Sequence, residues 1–261
     1  MSAVGTRKAT TRAAFVRRAC ALACIAAVAG CGGSGSSSST MPPVSSNVLV
    51  RFADGAPFLK TLINGYPTDI GAAYLQANGR TVASSFVYGT LTAFVILPPG
   101  TLSLKALDTT GYFVGPLKSP ALTAGNRYTL VVVGAYPNYS VLAFAEPKPS
   151  SGAAMSFYEA SPAVPAADFG SFSASTHANF KKLGGAQLGN VATVPLGNSV
   201  SNLGGYVGNA SAPLGTLTLR QINPFDRRNV LPYHRAARLS LFLFDTKGSS
   251  TVGPVFGSLD R

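Results

Sequence analysis

From residue 47 onward, apolar and polar side chains alternate with a period of two, and turn dipeptides interrupt the pattern at short intervals. In the first such stretch Val48, Val50 and Phe52 share one face, and the residues between them share the other. Successive side chains of a β-strand point to opposite faces of its sheet, so this period is typical of strands. The pattern predicts an all-β fold, built as a β-sandwich.

Turn dipeptides mark where the predicted strands end. Three of them are Asp54-Gly55, Asn64-Gly65 and Asn78-Gly79. Glycine reaches the positive φ that tight hairpin turns require, so each dipeptide favours a reversal of the chain. Further strands are predicted over residues 81–87, 91–97, 101–107, 127–134 and 139–145. One short helical turn is predicted over residues 70–76.

The second half of the chain repeats patterns of the first. Three pairs of segments match in the same order: residues 52–57 with 157–162, 100–105 with 215–220, and 127–133 with 238–244. Shared order at similar offsets predicts two copies of one domain. The predicted boundaries are 47–147 for the first sandwich, 148–152 for a proline-containing linker, and 153–261 for a second, divergent sandwich.

The N-terminal segment has the features of an export signal. Five basic residues precede an apolar run over residues 19–29, which at about 1.5 Å per residue is too short to cross ~30 Å of hydrocarbon. The run ends in Val28-Ala29-Gly30-Cys31, which resembles the lipobox of bacterial lipoproteins. We therefore expect a signal peptide over residues 1–30, acylation of Cys31 and a Gly/Ser-rich tether over 31–46. An ordinary cleaved signal is the alternative.

Charge and cysteine content narrow the possible partners. The net charge is +12, but five of the 21 Lys and Arg residues and none of the 9 acids lie in the leader. The remaining excess is modest and forms no dense basic stripe, so we expect no nucleic-acid partner. Cys20 and Cys24 would leave with the leader, so the folded part would have neither a disulfide nor a cysteine metal site.

Four segments resemble the bacterial domain of unknown function 4397. They are residues 50–57 (VRFADGAP), 63–65 (ING), 97–101 (LPPGT) and 122–134 (LTAGNRYTLVVVG). The resemblance implies an exported, immunoglobulin-like sandwich that is often lipid-anchored and often in tandem. It implies no agreed activity and no site residues. Lys60 stands where the family has a strand aspartate, whereas Asp168 fits that position in the second half.

No catalytic signature is present. The chain has no nucleophile elbow, phosphate-binding loop or zinc-protease motif, so we predict no catalytic residue, no cofactor and no metal. His177 is predicted to be a lone exposed imidazole. His234 lies among four arginines, which form either a solvated connection between strands or a candidate contact for an anion or a glycan: Arg227, Arg228, Arg235 and Arg238.

Two weaker ligand hypotheses remain open. Asp54, Asp69 and Asp108 could meet at one end of the first sandwich and hold calcium, although acids are common in turns without any metal. Three tyrosines near strand ends could form a ligand face, although packing explains them equally well: Tyr88, Tyr136 and Tyr139.

Together these features predict a lipid-anchored protein of the cell envelope, placed at the outer membrane because Gly32, the residue after Cys31, is not the aspartate that favours inner-membrane retention. Its partners would be the membrane, through the anchor, and a protein or glycan of the envelope. The alternative is an enzyme or accessory protein acting on envelope polysaccharide. A further idea is that an exposed sheet edge accepts a strand from a partner.

Overall fold

In the computed structural model of the protein, strands build four four-stranded sheets and one two-stranded hairpin. The structure describes residues 46–71, 73–148, 154–172, 179–195, 202–206, 215–218, 238–245 and 255–260. Within these ranges every regular element is a strand, so the prediction of an all-β fold is confirmed. The described strands all belong to one compact unit.

The first half of the chain contributes ten strands. They are β1 (Val48–Asp54), β2 (Lys60–Ile63), β3 (Tyr66–Asp69), β4 (Ala73–Ala77), β5 (Arg80–Phe86), β6 (Val95–Leu97), β7 (Ser103–Leu107), β8 (Phe113–Lys118), β9 (Arg127–Ala135) and β10 (Asn138–Ala145). Sheet 1 has the order β10-β9-β1-β6, and sheet 2 has the order β5-β4-β7-β8. Strands β2 and β3 form a separate hairpin.

The described residues of the second half contribute eight strands. They are β11 (Ala154–Glu159), β12 (Ala166–Ser171), β13 (Lys181–Gln187), β14 (Val191–Pro195), β15 (Asn202–Tyr206), β16 (Gly215–Thr218), β17 (Arg238–Leu243) and β18 (Val255–Asp260). Sheet 3 has the order β14-β11-β17-β18, and sheet 4 has the order β13-β12-β15-β16.

Sheets 1 and 3 share an unusual pairing. In sheet 1, β1 runs parallel to β9 and antiparallel to β6, and in sheet 3, β11 runs parallel to β17 and antiparallel to β14. The registers also agree, because Phe52 lies opposite Leu130 and Phe157 lies opposite Leu241. Two of the three sequence matches, 52–57 with 157–162 and 127–133 with 238–244, therefore fall on strands with the same neighbours.

The third sequence match does not join equivalent strands. Residues 100–105 lead into β7, which lies inside sheet 2 between β4 and β8. Residues 215–220 include β16, which pairs with β15 at the edge of sheet 4 and takes the place that β8 has in sheet 2. Alternating leucines suit either position, so the match reflected the strand pattern and not a shared place in the fold.

Three apolar clusters hold the sheets together. The first core lies between sheets 1 and 2 and includes Phe52, Leu104 and Leu130, and the second core lies between sheets 3 and 4 and includes Phe157 and Leu241. The third, which we call the shared cluster, joins sheets 1 and 3 and contains Ala53, Val131, Val133, Phe144, Tyr158, Ala160, Phe242 and Phe244. Sheets 1 and 3 are therefore packed on both faces.

Several local predictions need correction. Residues 70–76 contain no helical turn, since Ala73–Ala77 form β4, and the strand predicted over 91–97 is only Val95–Leu97. Asn64-Gly65 and Asn78-Gly79 do make hairpin turns with positive φ. Asp54-Gly55 does not. It ends β1, and a Cβ on Gly55 would lie 2.9 Å from the Phe244 ring, so close packing explains this glycine.

Candidate functional site

A cleft of about 430 Å³ opens on the first half, where β2, β8 and the turn between β9 and β10 meet. Strands β8 and β10 are the edges of sheets 2 and 1, and β2 lies over their open side. The lining residues are Lys60, Thr61, Leu62, Gly111, Tyr112, Phe113, Val114, Gly115, Pro116, Leu117, Tyr136, Pro137 and Tyr139. All of these residues are described, and no carboxylate is among them.

Four of the lining residues have aromatic rings, and we call this site the aromatic cleft. Tyr112 and Phe113 are 42% and 41% exposed, which is high for rings in a folded chain, and Tyr136 and Tyr139 are half-buried beside them. Sites that hold small ligands typically have volumes of about 300 to 1,000 Å³, and the volume of this cleft falls within that range. The arrangement can therefore hold the flat face of a ligand.

Tyr139 fixes the β2–β3 hairpin to β10 of sheet 1. Its hydroxyl accepts a hydrogen bond from the backbone N–H of Lys60 at 2.7 Å and donates one to the carbonyl of Phe58 at 2.8 Å. Burial raises the pKa of the Tyr139 hydroxyl, so the phenol stays protonated and able to donate. The position of the hairpin, and with it one wall of the cleft, depends on this side chain.

Two glycines shape the opposite walls. Gly134, at φ +98°, precedes the Tyr136-Pro137 turn, and an added Cβ would overlap the carbonyl oxygen of Asn138. Gly115, at φ +116°, lies in β8, where a Cβ would come within 2.5 Å of the Leu104 carbonyl oxygen. Both positions favour glycine for backbone reasons. Gly134 is the last residue of the segment 122–134 that resembles the family, and the geometry of its turn explains why a glycine stands there.

The positive charge at the cleft comes from lysines. Lys60 lines it, with its Nζ atom 5.2 Å from the centroid of the Phe58 ring. Lys105 places its Nζ atom 4.7 Å from the centroid of the Phe113 ring, within the range of cation–π attraction. Asp69 lies opposite Lys60 in the hairpin register but is not part of the lining.

A buried polar network lies between sheets 1 and 3, away from the cleft lining. Arg51, 2% exposed, forms an ion pair at 3.0 Å with Glu146. Its Nε atom donates to Thr129 Oγ1 at 2.7 Å, and its Nη2 atom donates to Ser240 Oγ at 3.0 Å and Tyr158 Oη at 3.3 Å. Tyr158 in turn donates to Glu146 Oε2 at 2.7 Å. The network links strands of both halves through one arginine.

A second group of acids lies at the end of the shared cluster. The fully buried Glu159 accepts a hydrogen bond from Ser161 N–H at 3.0 Å. Burial raises the pKa of the Glu159 carboxyl to about 8, and the nearby Asp245 carboxylate adds to the rise. Tyr88 donates to the carbonyl of Asp245, and burial, with help from Asp245 and Asp54, raises the pKa of Tyr88 to about 12.

The three predicted tyrosines separate into two places. Tyr136 and Tyr139 come together in the aromatic cleft, whereas Tyr88 packs against Phe244 in contact with the second half. Sequence reasoning missed Tyr112, Phe113 and Lys60. Tyr112 and Phe113 could have been found, because they are two consecutive aromatic residues next to the turn at Asp108. Nothing in the sequence indicated that the hairpin would bring Lys60 against them.

The calcium hypothesis is not supported. Asp54, Asp69 and Asp108 each accept a hydrogen bond from the N–H two residues later, at 3.0, 3.0 and 2.9 Å, and each holds its own turn. Among the described residues, no group of three His, Cys, Asp or Glu side chains could hold a metal ion.

Other predicted residues lie outside the described ranges. These are Cys31 with the rest of the leader and tether, His177, His234, Arg227, Arg228 and Arg235. Of the four arginines only Arg238 is described, at the start of β17 and half-buried. In the described part of the chain, no segment is a helix with the length and apolarity needed to cross a membrane.

Residues 61–170 match the family model described as "Domain of unknown function (DUF4397)". The chain contains a DUF4397 domain. The match runs from β2 into β12 and includes every residue of the cleft lining except Lys60. It begins after residues 50–57, so the resemblance of that segment stays a prediction. No curated protein matches this chain.

Proposed function

We propose that this chain is an exported cell-envelope protein, anchored at the outer membrane through acylated Cys31, that acts as a non-enzymatic binding module. Its two tandem immunoglobulin-like sandwiches would comprise residues 47–147 and 153–261. The shared strand order of sheets 1 and 3, and of sheets 2 and 4, supports the tandem arrangement. The leader and tether pattern supports export and anchoring.

The observation that carries the binding role is the aromatic cleft. Its lining combines exposed rings with Lys60, on a hairpin held in place by Tyr139. The hairpin that forms one wall has no counterpart in the second half, because only residues 160–165 connect β11 to β12. The first sandwich therefore has an additional element, the β2–β3 hairpin, beside a cleft that is open to ligands.

Anchoring is tested by labelling cells with a palmitate analogue. The wild-type chain should take up label and remain with the membrane fraction, whereas Cys31→Ala should do neither. Label retained by Cys31→Ala would contradict the lipid anchor.

The binding role is tested by co-sedimentation of the full chain with envelope fragments from which membranes have been removed with detergent. Tyr112→Ala should reduce the bound fraction, and Tyr74→Ala should leave it unchanged. Tyr74 is the matched control because it is 40% exposed but lies on β4, outside the cleft lining. Equal binding by both variants would argue against the cleft as the binding site.

A further inference from the structure

We propose that the aromatic cleft binds an acidic polysaccharide, with sugar rings lying against its aromatic rings and a carboxylate of the polymer at Lys60. This inference rests on the binding function proposed above and adds the chemical class of the ligand.

The shape of the cleft suits a polymer of sugar rings. It is an open trough on the side of the first sandwich, walled by Tyr112 and Phe113 from the β8 side and by Tyr136 from the β9–β10 turn. Pro116 and Pro137 add flat, rigid surface between these rings. The negative faces of aromatic rings attract the polarised C–H groups that a sugar ring presents, whatever the sequence of the polymer.

The charge at the cleft favours an acidic ligand over a neutral one. Lys60 is part of the lining, and the ammonium group of Lys105 lies over Phe113. The nearby acids lie outside the lining and hold their own turns: Asp108 accepts bonds from the backbone of Thr110 and Tyr112, and Asp69 accepts one from Gly71. A groove whose lining has one sign of charge concentrates ligands of the other sign.

A proline-rich peptide is the competing occupant, because such peptides also dock in aromatic-lined grooves. The proline residues of such a peptide carry no charge that could pair with Lys60. The lysine in the lining therefore favours the acidic polysaccharide, and the experiment below separates the two.

The test measures binding of the full chain to polygalacturonate, to its methyl-esterified form and to a decaproline peptide. Esterification removes the charge and keeps the sugar backbone, so the first two polymers form a matched pair. We expect binding to polygalacturonate at least tenfold tighter than to the ester, and weakening as salt rises. Tyr112→Ala should weaken binding to polygalacturonate about tenfold, and Lys60→Gln should weaken it and flatten its salt dependence.

Two controls separate the cleft from general charge and folding. Lys118→Gln removes an exposed lysine of the same strand, β8, that does not line the cleft, and it should leave binding unchanged. Tyr66→Ala removes an exposed ring of the β2–β3 hairpin and should do the same. Thermal melting confirms that each variant is folded.

Equal affinity for the two polygalacturonate forms would overturn the acidic-ligand inference, yet leave the proposed binding function standing if Tyr112→Ala weakened both. Preference for decaproline would overturn it in favour of a peptide. Loss of binding with Lys118→Gln equal to that with Lys60→Gln would show attraction to surface charge in general, and would also overturn it. Failure of the palmitate experiment bears on anchoring alone.

Discussion

At the scale of single residues, the ion pair between Arg51 and Glu146 of the first half is the centre of the polar network that joins sheets 1 and 3. Both side chains are almost entirely removed from water, at 2% and 11% exposure, so each depends on the other for compensation. Tyr158 and Ser240 complete the hydrogen bonding of the guanidinium from the second half. Removing one partner of such a buried pair lowers the stability strongly, because the other charge stays buried without compensation.

We expect Arg51→Met alone to lower the free energy of unfolding by about 3–5 kcal/mol, because it leaves the carboxylate of Glu146 buried and unpaired. The double variant Arg51→Met/Glu146→Gln should lose less than Arg51→Met, since the glutamine carries no charge and its amide oxygen can still accept the hydrogen bond from Tyr158. Urea unfolding of the wild-type chain, Arg51→Met, Glu146→Gln and the double variant measures the differences. A double variant that loses as much as the sum of both single variants would contradict this coupling.

Glu159 gives the fold a defined pH dependence. Its pKa in the folded state is about 8, above the ordinary value of 4.5, because the carboxyl is buried near Asp245. The folded state therefore keeps a proton that the unfolded state releases. The stabilising contribution is fully present below pH 4.5 and is lost as the pH rises through 8, at roughly 1.4 kcal/mol per pH unit across this window.

We expect Glu159→Gln to flatten the fall in stability between pH 5 and pH 8. The amide can still accept the hydrogen bond from Ser161 N–H and carries no charge at any pH. Asp69→Asn is the control, because Asp69 makes the same kind of bond, to Gly71, at an exposed turn. Urea unfolding at several pH values checks this, and an unchanged slope in Glu159→Gln would assign the pH dependence to other groups.

At the scale of elements, the alternation in β1 predicted its two faces correctly but not what covers them. Val48, Val50 and Phe52 face the first core, as expected from a period of two. Arg51 and Ala53 on the other face are also buried, because sheet 3 packs against them. A local pattern shows which residues share a face, whereas burial of the second face depends on a partner more than a hundred residues away.

The cleft also depends on contacts that the local sequence does not show. Tyr136 and Tyr139 could be singled out because they flank a turn between two predicted strands. Lys60 could not, since it reaches the cleft only through the hydrogen bonds of Tyr139. The arginine cluster was found by proximity in sequence, and three of its four members lie outside the described residues.

The turn between β9 and β10 gives a prediction at this scale. Gly134→Ala should lower the free energy of unfolding by about 1–3 kcal/mol, because its Cβ would overlap the carbonyl oxygen of Asn138 at a φ that side chains rarely adopt. Gly100→Ala is the matched control, with φ +102° but open space around the added Cβ. It should cost less. Equal losses in urea unfolding would mean that φ alone, and not the contact with Asn138, requires glycine at 134.

At the scale of the whole molecule, the shared cluster decides whether the two halves unfold together. Val131, Tyr158, Phe242 and Phe244 are each almost fully buried in it, and the polar network of Arg51 lies in the same layer. Two halves joined by an apolar layer of this kind should behave as one cooperative body, because separating them exposes that layer. We therefore expect one calorimetric transition for the wild-type chain.

Val131→Asp tests this coupling directly. The aspartate would lie between sheets 1 and 3, where burying a charge without a partner costs several kcal/mol, while the first and second cores keep all their residues. The single transition should therefore split into two as the halves unfold separately. Ala135→Asp, at an exposed position of the same strand, should leave one transition. If Val131→Asp instead shifts one transition to lower temperature without splitting it, neither half is stable without the other, and the tandem sandwiches are a single folding unit.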